Sequence, residues 1–126
     1  MKSSHAVVQV DHHAALVLHF DAEHVQAQKV KAHTRHTRQN ASIVRTEHEF
    51  FGQVCDALEG IPEVLVAGSH ARLADFRHYA DKHRPESARR IVAYEAADRL
   101  TENQLVALAR QYFLSQDRVS VASTPS

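Results

Sequence analysis

Cysteine, net charge and long apolar runs are scarce in this chain, and each shortage excludes something. A single cysteine, Cys55, stands in 126 residues, which rules out an internal disulfide framework and fits a reducing compartment. Lysine plus arginine and aspartate plus glutamate number 15 each, so no global field draws the protein toward nucleic acid or membrane. No apolar run approaches the roughly 20 residues that a membrane span needs. The opening Met1-Lys2-Ser3-Ser4-His5 alternates into a strand instead of building the apolar region of a secretory signal. No glycine-rich run with a Gly-Lys-Ser/Thr ending is present for a nucleotide phosphate, and no spacing gathers histidines with cysteine into a zinc motif. The expectation is a cytoplasmic protein with no cofactor, no resident metal and no membrane partner. At this length one core forms without disulfides or a structural metal. Residues 1–116 are therefore expected to be one domain, followed by a loose tail over 117–126.

What is present reads as strands and helices in alternation. Val64-Leu65-Val66-Ala67, bounded by Pro62 and Gly68, is a short apolar run of the kind buried on both faces of a parallel sheet. Gly68 allows a tight turn, Ser69 serves as N-cap, and Leu73, Phe76 and Ala80 recur at helical spacing. Before this unit, His5–Val10, Ala14–Phe20 and His24 to about Ala32 alternate as three strands, the third polar and lysine-bearing as suits a sheet edge. Thr34–Val44 lacks apolar periodicity and reads as an exposed loop. Thr46 and Glu49 match a capping box opening a helix whose stripe is Phe51, Val54, Cys55 and Leu58, ended by Gly60. Pro85 stops the second helix, Ile91–Tyr94 is another buried strand, and Thr101 with Gln104 caps a last helix facing inward through Leu105, Leu108, Ala109 and Tyr112. Three strands, then helix, strand, helix, strand and helix is an α/β element order. It implies an RNase H-like five-stranded mixed sheet, order 3-2-1-4-5, with three helices.

The run Val64-Leu65-Val66-Ala67-Gly68-Ser69 with its following helix resembles the strand, Ala-Gly turn and helix of the middle domain in archaeal and eukaryotic class-1 release factors and Pelota. Over most of its length the chain also resembles short bacterial proteins called translational machinery proteins. In the release factors the loop after the third strand carries a Gly-Gly-Gln motif. Here that stretch holds Gln39, but Thr37 and Arg38 stand where the glycines would be. Glycine adopts backbone angles that those two residues largely cannot, so peptide release is not carried over. The resemblance implies a non-enzymatic module that binds the ribosome or structured RNA.

The residues supply a candidate surface. Between Lys29 and Arg45 the charged residues are Lys29, Lys31, Arg35, Arg38 and Arg45, with no acid among them, and His33 and His36 lie between. Guanidinium and ammonium groups neutralise phosphates while imidazoles stack on bases, a composition suited to RNA. Gly68, Ser69 and His70 form a weaker anion candidate at a helix N-terminus. Two other chemistries compete. A two-metal nuclease would draw on Asp11, Glu47, Glu49 and Asp98, but the end of the fourth strand, Gly68-Ser69-His70, offers no carboxylate. Metal binding by His12 and His13 or by His33 and His36 is the other; the first pair would point to opposite faces of a strand. Cys55 on its apolar stripe reads as core filler.

Overall fold

The computed structural model describes residues 4–21, 24–32 and 40–123. Five strands, β1 (His5–Val10), β2 (Ala14–Phe20), β3 (Val25–Lys31), β4 (Glu63–Gly68) and β5 (Ile91–Ala96), form one sheet in the order β3-β2-β1-β4-β5. β1 runs antiparallel to β2 and β2 to β3, whereas β1 and β4, and β4 and β5, pair in parallel. This is the mixed sheet that the element order implies. The central run is buried throughout from Val64 to Gly68, because β4 lies between β1 and β5 and is covered on both faces.

Four helices accompany the sheet: α1 (Asn40–Ala57), α2 (His70–His83), α3 (Pro85–Arg90) and α4 (Glu102–Ser123). Alternation along β1 divides the core in two. Ala6, Val8 and Val10 join Phe51, Val54, Leu58, Phe76 and Ala80 of α1 and α2 on one face. Val7, with Leu18, Leu65 and Ala67, packs against Leu105, Ala109 and Phe113 of α4 on the other. Burying a Phe or Leu of this kind contributes about 2 kcal/mol or more each, so the two clusters fix which helix covers which face.

The structure corrects four sequence expectations. α1 begins at Asn40, so residues 40–44 are helical, where the sequence reads as loop, and the Thr46–Glu49 pair falls inside the helix instead of capping it. No glycine or proline stands between His33 and Phe51 to stop a helix propagating backward. Pro85 does not merely stop α2. It opens the short α3, which makes four helices instead of three, and proline at a first helical position sacrifices no hydrogen bond. α4 continues through Ser123, past Gln116, since no glycine or proline intervenes between Thr101 and Pro125. The third strand begins at Val25, one residue later than the sequence suggests. Among the described residues no helix is long and apolar enough to cross a membrane.

Candidate functional site

Along α1 the sequence lays down two stripes. Phe50, Phe51, Val54, Cys55 and Leu58 face the sheet and are buried. Arg45, His48, Glu49, Gly52, Gln53 and Asp56 recur three and four residues apart and so share the other side of the helix. With Tyr79 and Arg84 from the end of α2 they line an open groove of about 670 Å³. Gly52 sets its depth. A Cβ there would stand 3.1 Å from the Tyr79 hydroxyl oxygen and 3.5 Å from Arg84 Nη2, so the missing side chain is what lets Tyr79 and Arg84 lie against α1.

The groove wall is aromatic and its charges are partly committed. The rings of His48, Tyr79 and His83 form a triangle with centroids 5.2, 5.3 and 5.0 Å apart. Arg84 donates to Asp56 at 2.9 Å and to the Gly52 carbonyl at 3.4 Å, and the Asp56 bond holds its guanidinium above the ordinary range. Among the described residues nothing pairs with Arg45 or Glu49, and both are exposed. One cation and one carboxylate thus lie beside the rings of His48 and Tyr79 without a partner among the described residues. Burial pushes the Cys55 thiol up, against the smaller opposing influence of Arg84, which keeps it a neutral core side chain and not a nucleophile.

A second hollow, of about 550 Å³, lies between α1 and the outer edge of β3, with Lys29, Lys31, Gln53 and Asp56 on its rim. Gln53 and Asp56 border both hollows, so the two hollows meet along α1. Val30 is buried beneath α1, so alternation along the strand turns the exposed Lys29 and Lys31 toward the opposite face of the sheet, at its edge. His33, Arg35, His36 and Arg38 lie outside the described residues. They occupy the segment that joins β3 to α1.

At the other candidate, Ser69 caps α2 by accepting from the Arg72 N–H at 3.2 Å, and Ser69 and His70 are exposed. Beneath them Arg72 is buried. Its Nη1 donates to Glu47 at 2.9 Å and to Asp75 at 3.3 Å, its Nη2 reaches the Asp11 carbonyl at 3.5 Å, and its guanidinium lies 4.9 Å from the Phe51 ring centre. Arg72 therefore clips α1, α2 and the β1–β2 turn together. Sequence reasoning misses this residue, because its partners are 25 and 61 positions away. Of the acids a two-metal nuclease would draw on, Glu47 is engaged by Arg72, and Asp11 accepts from Arg99 at 3.4 Å and from the His12 N–H at 2.8 Å. Among the described residues no three His, Cys, Asp or Glu side chains converge on a metal-sized site.

No family model matches the chain, and no curated protein does. Solved structures of translation factors do. Pelota from Archaeoglobus fulgidus superposes with a TM-score of 0.67 at 15% identity, over 97% of this chain and 36% of that one. The archaeal translation termination factor aRF1 gives 0.59 at 9% identity, over 93% and 40%. Dom34 of S. cerevisiae, a translation termination-like factor involved in RNA quality control pathways and interacting with Hbs1, gives 0.50 at 10% identity, over 94% and 38%. At these identities the likeness establishes the fold: this chain has the architecture of one part of Pelota and aRF1. It spans well under half the length of either protein.

Proposed function

We propose that the chain is a non-enzymatic module of the translation release and rescue kind, which associates with the ribosome or with structured RNA. The observation that carries this reading is the superposition on Pelota over 97% of the chain, joined to the exposed Lys29 and Lys31 on β3 and the exposed Arg45 on α1. Lys29, Lys31, Arg35, Arg38 and Arg45 meet phosphates, and His33 and His36 stack on or bond to RNA. Gly68, Ser69 and His70 are a secondary anion contact at the head of α2. Engagement of Asp11 and Glu47 by arginines supports a binding role over hydrolysis.

The test is the salt dependence of binding to a short single-stranded RNA. Each phosphate contact contributes about 0.7 to the slope of log affinity against log salt. Arg35→Ala with Arg38→Ala is expected to weaken binding at low salt and to make the slope shallower by about 1.4, two such contacts. Unchanged affinity and slope would remove the segment from the interface.

A further inference from the structure

The groove between α1 and α2 is more than a place for phosphate. We infer that it is a base-binding site of this module, taking an unpaired guanine of an RNA strand; the inference rests on the RNA-associated reading and names the contact within it. Three features select that ligand. First, the wall carries the rings of His48 and Tyr79, tilted against each other with centroids 5.2 Å apart. His48 is exposed at its rim, a platform on which a further planar ring stacks. Second, Arg45 stands one helical turn before His48 and lacks a partner among the described residues, so a phosphate attached to the stacked base meets a free guanidinium.

Third, the free acceptor is a carboxylate. Glu49 adjoins His48, lines the same groove and has no partner among the described residues. A carboxylate offers two oxygens and no donor. Guanine alone presents two neighbouring donors, N1–H and N2–H2, on its pairing edge; adenine, cytosine and uracil each present one. Gln53, one turn further along α1, supplies an amide N–H for the O6 acceptor. Asp56 does not compete, because Arg84 holds it at 2.9 Å. The groove, about 670 Å³ and open on one side, falls in the size range of sites for small planar ligands, and its openness suits a base that remains part of a strand.

The experiment uses two fluorescently labelled single-stranded RNAs of equal length, one containing guanines and one of uridine only, with affinity read by fluorescence anisotropy. The unmodified chain is expected to bind the guanine RNA about tenfold more tightly than the uridine RNA. His48→Ala is expected to lose about tenfold on the guanine RNA, as removal of a stacking ring does. Glu49→Gln is expected to erase the preference while leaving the salt slope unchanged. Both positions are exposed, and circular dichroism verifies that each variant keeps its fold. Equal affinity for the two RNAs with a steep salt slope would overturn the guanine site and leave the RNA-associated reading standing. Variants that bind both RNAs as the unmodified chain does would do the same. Failure of the unmodified chain to bind either RNA at low salt would overturn both.

Discussion

Gly68 shows how one missing side chain holds the centre of the molecule. A Cβ at that position would stand 2.9 Å from the carbonyl oxygen of Val10, a backbone atom of the neighbouring strand that cannot swing aside. Gly68→Ala is therefore expected to push β4 from β1 and to lower unfolding free energy by about 2 kcal/mol, the usual penalty for overpacking, as read by denaturant titration. A change within about 0.5 kcal/mol would mean that the strands part without strain. The need for glycine here is legible in the sequence, since Gly68 follows an apolar run and precedes the Ser69 cap. The identity of the crowding atom is not, because Val10 lies on a strand far earlier in the chain. Arg72 makes the same point more sharply. Nothing in Ala71-Arg72-Leu73 distinguishes a buried clip from a surface arginine, and only the arrival of Glu47 and Asp11 explains why a charge is buried there.

At the scale of elements, local signals are reliable where side chain and backbone close on each other within one turn. Thr101 Oγ1 accepts from the Gln104 N–H at 3.2 Å and Gln104 Oε1 accepts from the Thr101 N–H at 2.9 Å, the reciprocal box that the sequence announces. Thr101→Ala is expected to cost about 1 kcal/mol, seen as a lower denaturation midpoint with unchanged slope; no shift would show that Leu105 and Ala109 alone hold the start of α4. The similar pattern at Thr46 and Glu49 is not a boundary, because α1 has already begun at Asn40. A capping box marks a possible start, and whether the helix extends upstream depends on residues that carry no periodic signal. Pro85 misleads for a related reason. Proline ends one helix and opens the next with equal ease, and the local sequence does not say which.

For the molecule as a whole, strand order follows from the succession of elements and from the parallel character of the central run, so the sheet β3-β2-β1-β4-β5 is legible before any coordinates. The candidate site is legible only in part. Lys29, Lys31 and Arg45 stand out as charges without acids, and all three are exposed, the lysines on the edge strand β3 and the arginine on α1. The ring cluster of His48, Tyr79 and His83 joins residues from two helices, and no spacing in the sequence brings them together. The polar stripe Arg45-His48-Glu49-Gly52-Gln53-Asp56 was the available signal, visible as the helical complement of the apolar stripe.

The central claim, association with the translation apparatus through a basic surface, is tested most directly by sedimenting cell lysate through sucrose gradients at low and high salt and following this protein by antibody. The account predicts co-migration with ribosomal particles at low salt, loss of that co-migration at high salt, and loss at low salt for Arg35→Ala with Arg38→Ala. A protein that stays at the top of the gradient at both salt concentrations would contradict it.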